Sequence, residues 1–312
     1  MNRRRLLGLS ALAAVPLAGC KTYRAEEKPV PAASSPALSG GGPVPYRPGR
    51  VLLGAYTQLK GLTTAEGIAL RTRQLGRPER IVHRFYSWTD TLPTSLPYVT
   101  SASVAMMSWR GPVYQQVTNG SSDKLIAGAA QRMARRAVPT LLRWAWDMNR
   151  APSTPDPAGY VKAYRRIHGI FAREGADNVS WVWSPNWNSD PDEDGNAFPR
   201  YYPGDEYVDW AGVSGYAAGQ APGDLFDRFY ETYAARKPVM ITEVSVTDRG
   251  GSTKPDWITA FHQWVKTRPA VGAVCWFDTD THPGSTEKWR VDSTAASLTA
   301  YRAMSADPVF TG

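Results

Sequence analysis

The chain has 312 residues, with 36 Lys or Arg against 28 Asp or Glu, and two cysteines. Two cysteines make no disulfide framework, so a domain of this size has to be held by an apolar core. The net charge of +8 includes Arg3, Arg4 and Arg5; without them the chain is about +5 with the charges dispersed, which argues against nucleic acid and weakly for an anionic surface as partner.

Residues 1–20 run from Arg3, Arg4 and Arg5 through the apolar stretch Leu6 to Leu17 into Leu17-Ala18-Gly19-Cys20. The apolar part is shorter than the roughly 20 residues a membrane-spanning helix needs, and an export signal is expected instead. Leu-Ala-Gly-Cys resembles the bacterial lipobox, in which Cys20 becomes the acylated first residue; ordinary secretory cleavage nearby is the alternative and implies the same compartment. Asn2-Arg3-Arg4-Arg5-Leu6-Leu7 also looks like a twin-arginine signal. The expectation is an extracytoplasmic protein, lipid-anchored to the cell membrane after export. Residues 21–48 carry Pro29, Pro31, Pro36, Pro43, Pro45 and Pro48 among Ala, Ser and Gly without an apolar period, the composition of a tether. The folded domain is expected over 49–312.

From Val51 onward, short apolar runs alternate with amphipathic segments. Strands are predicted over Val51 to Tyr56, Arg80 to Tyr86, Ser103 to Trp109, Thr140 to Trp146, Asn178 to Ser184, Trp210 to Tyr216, Pro238 to Val244 and Val271 to Phe277. Between them, Ile126, Ala129, Ala130, Met133 and Ala137 recur at helical spacing. So do Tyr160, Tyr164, Ile167 and Phe171, after Asp156 as N-cap with Pro157 in the first turn and before Gly175 as a stop. Leu225, Phe226, Phe229 and Tyr233 form a further stripe, and Trp257, Ile258, Phe261, Trp264 and Val265 another. Thr89 to Pro97 reads as loop. Eight strands in one domain suggest a closed α/β barrel, the (β/α)8 TIM barrel. A doubly wound open sheet shows the same alternation, but Gly54-Ala55-Tyr56-Thr57 after the first strand has no phosphate-binding glycine pattern.

Strand C-termini point into the active site of such a barrel, so a carboxylate closing an apolar strand is a candidate catalyst. The fourth strand runs into Arg143-Trp144-Ala145-Trp146-Asp147-Met148-Asn149, and the seventh into Ile241-Thr242-Glu243-Val244. By strict alternation Arg143 and Asp147 share a face of strand four, and Val239, Ile241 and Glu243 share one of strand seven, so both acids are expected to face the same cavity. Two carboxyls across the barrel mouth are what glycosidic cleavage requires, one to protonate the leaving oxygen and one to attack or to activate water. The competing reading is a buried salt bridge of Arg143 with either acid. Aromatic residues fall at or after the strand ends: Tyr56, Trp88, Trp109, Trp146, Trp187, Tyr216 and Trp276. Their flat faces and polar tips suit pyranose rings, although for any single one core packing is the commoner role.

Trp183-Ser184-Pro185-Asn186, the block from Tyr202 to Trp210 (YPGDEYVDW), Val213-Ser214-Gly215-Tyr216, Lys237 to Glu243 and Trp276-Phe277-Asp278 together resemble family 26 glycoside hydrolases of the β-mannanase type, in order from about Val51 to Met304. The resemblance implies a retaining (β/α)8 endo-β-glycanase without a cofactor, with Glu243 as nucleophile and Asp147 in the place of the acid/base glutamate. Arg143, Trp146, Asn149, Trp187, Tyr216 and Trp276 are then expected to bind substrate. The chain departs from the family at strand four. Trp146-Asp147-Met148-Asn149 stands where the family has His-Glu-Met-Asn, and Ala151-Pro152-Ser153 replaces a glycine and a tryptophan-containing loop. An aspartate is one methylene shorter, and a misplacement of about 1 Å can cost ~10²-fold in rate. A barrel that binds glycan without cutting it is therefore the rival expectation, and a β-glucanase or β-xylanase of the same fold another. The other candidates are weaker. His83, His168, His262 and His282 lack metal-ligand spacing, and Asp190, Asp192, Glu193 and Asp194 lack the EF-hand pattern. Expected partners are a polysaccharide and, through Cys20, the membrane; a monomer is expected.

Overall fold

The computed structural model describes residues 38, 40–136, 138–150, 155–282 and 288–311. The expected signal segment, Cys20, and the part of the tether before Leu38 lie outside these residues, as do Ala137 and residues 151–154.

Eight parallel strands close into a barrel in chain order: β1 Leu52–Gln58, β2 Ile81–Tyr86, β3 Val104–Trp109, β4 Thr140–Trp144, β5 Val179–Trp183, β6 Trp210–Ala217, β7 Val239–Val246 and β8 Val271–Thr279. Each corresponds to a predicted run, and β1 closes on β8 over seven residue pairs from Leu52–Ala273 to Gln58–Thr279. Around them lie α1 Thr64–Leu75, α2 Tyr114–Thr118, α3 Asp123–Arg136, α4 Pro157–Arg173, α5 Pro222–Tyr233, α6 Thr253–Lys266, α7 Ala295–Ala306 and α8 Pro308–Thr311. The β2–β3 connection contains no helix, as Pro93 and Pro97 suggest, and β5–β6 is crossed by three short 3₁₀ turns. The chemistry of the caps agrees with the sequence. Asp156 accepts from Gly159 N with Pro157 at the start of α4, and Thr63 and Glu66 form a reciprocal capping box on α1.

Alternation divides the side chains into two cores. Ile81, Met106, Leu141, Val182, Trp210, Met240, Ala273 and Cys275 fill the barrel interior. The intervening residues, such as Leu142, Trp144, Trp181, Trp183, Val239, Ile241, Val274 and Trp276, point outward into the predicted helical stripes. An outward polar cluster joins this second layer. The buried guanidinium of Arg71 on α1 donates to Asp278 Oδ2 at 2.6 Å and Oδ1 at 2.9 Å, and Asp278 also accepts from Val291 N at 3.0 Å.

Residues 40–46, expected to be tether, instead plug the base of the barrel. Val44 and Tyr46 are buried in the interior core, because inward-facing polar groups on the strands have backbone partners there. Val44 N donates to Ser180 Oγ at 2.8 Å, and Ser180 Oγ donates to Gly41 O at 2.7 Å. Trp210 Nε1 reaches Gly41 O and Val44 O, both at 3.1 Å, while Tyr46 OH donates to Pro269 O at 2.6 Å. Gly41 sits at φ 90, and a Cβ there would lie 2.5 Å from Val44 O, so the tight turn that starts the plug needs glycine. The folded unit therefore begins ahead of the boundary expected at Gly49, with the Gly40–Tyr46 plug.

Replacing Trp210 by Phe keeps most of the apolar volume and removes the donor to both plug carbonyls. An unmet buried acceptor costs about 1–3 kcal/mol, so thermal unfolding of Trp210→Phe should come several degrees earlier than wild type by calorimetry.

Candidate active site

A cavity of about 720 Å³ opens at the C-terminal ends of the strands, lined among others by Tyr56, Phe85, Trp146, Asp147, Trp187, Tyr216, Glu243, Phe277 and Trp289. Asp147 and Glu243 thus meet in one cleft. Strict alternation does not bring them there.

On β4, Leu141 and Arg143 face inward, but the strand ends at Trp144. Ala145 at φ 44 and Asp147 at φ 55 then take left-handed backbone conformations, which L side chains adopt at a cost. The turn is held by Ala145 N to Trp109 O at 2.9 Å and Asp147 N to Ser184 O at 3.0 Å. Asp147 is delivered to the cavity by this turn rather than by a strand period.

On β7 the expected shared face of Val239, Ile241 and Glu243 is not found, since Val239 and Ile241 belong to the outer core. The register supplies the reason. Val213 pairs with Ile241 but Ser214 with Glu243, and on the other side Ile241 pairs with Val274 but Val244 with Trp276. One extra residue at Thr242–Glu243 makes a β-bulge, which re-aims a side chain. Thr242 points inward, its hydroxyl 2.6 Å from Ser184 Oγ, and Glu243 follows it inward. Gly212 beside the bulge has to be glycine, because a Cβ would approach Thr242 Cγ2 to 2.6 Å.

Arg143, fully buried, donates through Nη2 to Glu243 Oε1, and Tyr216 OH donates to Oε2. Burial, and then the charge of Glu243, push the Tyr216 hydroxyl well above its ordinary range, so the phenol keeps its proton and remains a donor. The Arg143 guanidinium also lies over Trp146, 5.2 Å from the ring centroid, and Phe85, at 5.8 Å. Asp147 has a different environment. Burial first, then the nearby Glu243 charge, raise its carboxyl to about 6, against the opposing effects of Arg143 and of hydrogen bonds from Ser214 and Asn186. Ser214 Oγ donates to Asp147 Oδ1.

The remaining expected site residues divide. Trp146, Trp187 and Tyr216 line the cavity. Trp276 does not: it faces outward, fully buried, against Trp257, Phe261 and Tyr301, because it has the opposite parity to Cys275 and Phe277. Asn149 is a loop latch rather than a cleft residue. Its side chain accepts from Asn186 N at 2.8 Å and donates to Asn186 O at 3.0 Å, and its carbonyl accepts from Asn196 Nδ2 at 2.9 Å. Arg143 lies beneath the cleft and meets it through Glu243. Among the other aromatic candidates, Tyr56 lines the cavity, whereas Trp109 is an outer-core residue stacked at 4.3 Å on Trp88. His83 is buried with Nε2 2.6 Å from Ser108 Oγ; burial and then Arg143 hold it well below the ordinary histidine range, so it is a neutral imidazole. Among the described residues no cluster of His, Cys, Asp and Glu is arranged to hold a metal.

Trp289, which the sequence reading missed, packs against Tyr216 at 5.3 Å and Phe277 at 5.3 Å between ring centroids. Three successive carbonyls fix it. Buried Lys254 on α6 donates to Lys288 O at 2.8 Å and Arg290 O at 2.6 Å, while Ser245 Oγ at 3.2 Å and Trp276 Nε1 at 3.4 Å donate to Trp289 O. The segment has no period of its own, so only the buried lysine on an otherwise apolar helix face hinted at it.

A family model for glycosyl hydrolase family 26 matches residues 101–295. The chain belongs to glycosyl hydrolase family 26. Within it, Endoglucanase H of Acetivibrio thermocellus is 31% identical over 253 residues, covering 73% of this chain and 27% of that protein. Beta-1,3-xylanase TXYA of Vibrio sp is 28% identical over 150 residues, covering 47% and 32%. The chain thus aligns to about a third or less of the length of these relatives. The solved structure of Bacillus subtilis mannanase man26 superposes with a TM-score of 0.57 at 18% identity, over 81% of this chain and 85% of that one, which shows the shared fold. The closed parallel barrel of family 26 is thus the fold the sequence suggested.

If Lys254 holds Trp289 against the cleft, Lys254→Met should raise KM several-fold on a polysaccharide substrate with a smaller change in kcat. Steady-state kinetics of wild type, Lys254→Met, Trp289→Ala and the double variant check this, the double variant being expected to match Trp289→Ala.

Proposed function

We propose that this family 26 chain is a retaining endo-β-glycanase, mannanase-like, that cuts a polysaccharide with Glu243 as nucleophile and Asp147 as acid/base. The observation that carries the reading is the opposed setting of the two carboxyls within one cleft. Glu243 is gripped by a guanidinium and a phenol, which orient its oxygens and pair its charge. Asp147 sits where burial and a like charge favour its protonated form, as a proton donor near neutral pH requires.

In the first step a Glu243 carboxylate oxygen attacks the anomeric carbon while the bond to the leaving oxygen breaks and Asp147 gives that oxygen its proton. In the second, Asp147, now ionised, takes a proton from water; the water oxygen bonds to the anomeric carbon and the bond to Glu243 breaks. Tyr216 and Arg143 stabilise the returning Glu243 carboxylate. Trp187, Phe277 and Trp289 present the apolar faces against which sugar rings pack. The left-handed turn at Ala145 and Asp147 supports the role of the shorter acid, because it brings the carboxyl to the cavity by backbone rather than by side-chain length. Substrates to be tried are β-1,4-mannan and β-1,3-xylan, after the names of relatives, and β-1,3/1,4-glucan beside them. The reading extends to place: an enzyme outside the cytoplasmic membrane, held by lipid at Cys20, acting as a monomer.

The test is a panel of these polysaccharides assayed for new reducing ends. Wild type should release them from at least one, and Glu243→Gln should release none; wild-type rates in Glu243→Gln rule out the nucleophile. A wild-type chain that binds these glycans and cuts none of them would select the non-hydrolytic barrel. Asp147→Asn should slow cleavage most for substrates with poor leaving groups, where proton donation matters most.

The pH profile gives an independent check. A carboxyl raised to about 6 is protonated below that pH and ionised above it, so kcat/KM should fall about tenfold per unit on the alkaline side of a limb near pH 6. That limb should be missing from the residual activity of Asp147→Asn.

A further inference from the structure

We propose that the part of the cleft beside Asp147 takes an acidic sugar, a residue carrying a carboxylate such as a uronic acid, gripped by Arg110 and Arg150. The inference rests on the two-carboxylate reading above and extends it from a glycan to an anionic glycan.

The cleft is unevenly lined. Its β6–β8 side carries Tyr216, Phe277 and Trp289, whereas Arg110 follows β3 and Arg150 follows the β4 turn. Both arginines are exposed and both line the same cavity as Asp147. By contrast Arg71 and Arg290 pair with carboxylates of the β8 region and Arg143 with Glu243. Arg110 and Arg150 take part in no ion pair among the described residues. The guanidinium carbon of Arg110 lies over Trp146, 4.5 Å from the ring centroid, and Arg150 Nη1 donates to Asn188 Oδ1 at 3.2 Å. Each thus makes one side-chain contact and lines the cavity, with N–H groups of its guanidinium left over for the fork that matches a carboxylate. The cation over Trp146 also covers part of the ring that a neutral sugar would otherwise stack on.

The opposing charges are few. Glu243 is paired with Arg143, and Asp147 carries its proton when it acts as acid. Among the acids lining the cavity that leaves Asp90, which accepts from Ser87 N at 2.7 Å, against two cations; Asp190 pairs with Arg150 through the backbone and does not line the cavity. Because Asp147 protonates the leaving oxygen, the sugar beside it is the leaving-group sugar, and its substituents face Arg110 and Arg150.

The experiment uses the full chain as Glu243→Gln, which binds without cutting, with Asp147→Asn as a second background should the first fail to fold. Hexaoses of β-1,4-mannose and β-1,4-glucose are compared with the same hexaoses oxidised at C6 to carboxylates, by calorimetric titration at low salt and at about 0.5 M NaCl. The oxidised form should bind about tenfold more tightly than its neutral parent at low salt, the worth of one charge-assisted contact. High salt should shrink that ratio, as should Arg110→Ala or Arg150→Ala, and the pair together should bring it near one. Equal binding of the two forms, binding of neither, or an advantage that survives both substitutions would overturn the proposal. Release of reducing ends from neutral glycan by wild type reports separately on the reading beneath it, so the two can fail independently.

Discussion

A guanidinium buried against a carboxylate at the floor of the cleft is the constraint around which the upper barrel is arranged. Breaking a buried ion pair by removing one partner costs about 3–5 kcal/mol, so Arg143 and Glu243 bind β4 to β7 across the barrel. Several local departures from regular structure serve this contact. β7 takes an extra residue so that Glu243 turns inward, Gly212 gives up its side chain to let Thr242 fit beside the bulge, and Tyr216 closes the second carboxylate oxygen. Regular pleating in that stretch would leave Glu243 in the outer layer with Ile241.

The same guanidinium separates the two acids electrically. Arg143 touches Glu243, whereas for Asp147 its pull is smaller than the effects of burial and of the Glu243 charge. The two carboxyls thus have different neighbours, Glu243 held by Arg143 and Tyr216 and Asp147 by Ser214. Ser214 extends the arrangement, since β6 contributes both the hydroxyl that orients Asp147 and, two residues on, the phenol that orients Glu243.

Much of this was legible in the sequence, for a reason specific to barrels. A parallel strand buried on both faces reads as an apolar run, and all eight runs were visible with ends within two residues of those observed. The helical stripes were visible because each covers one outer face. The site was legible as residues but not as geometry. Glu243 and Asp147 stand at the ends of their runs and both face the cleft as expected, yet the bulge at Thr242–Glu243 and the left-handed turn at Ala145 and Asp147 leave no mark in hydrophobic patterning, so strict alternation put Val239 and Ile241 on the cavity face with Glu243 when they belong to the outer layer. Trp276 fell to the same parity: one residue earlier or later on β8 is the interior, and Phe277 holds that place. Trp289 was missed because its position comes from hydrogen bonds to its own backbone, which no side-chain pattern encodes. Asn149 was misread because an asparagine that latches a loop and one that touches a sugar are the same letter.

The plug at Gly40–Tyr46 has a consequence for how the barrel divides its labour. It seals the end where the strands begin, while the cleft opens where they finish, and none of its residues lines that cleft. A change in the plug therefore acts on how firmly the strands are held together, and reaches the carboxyls only through the strands themselves.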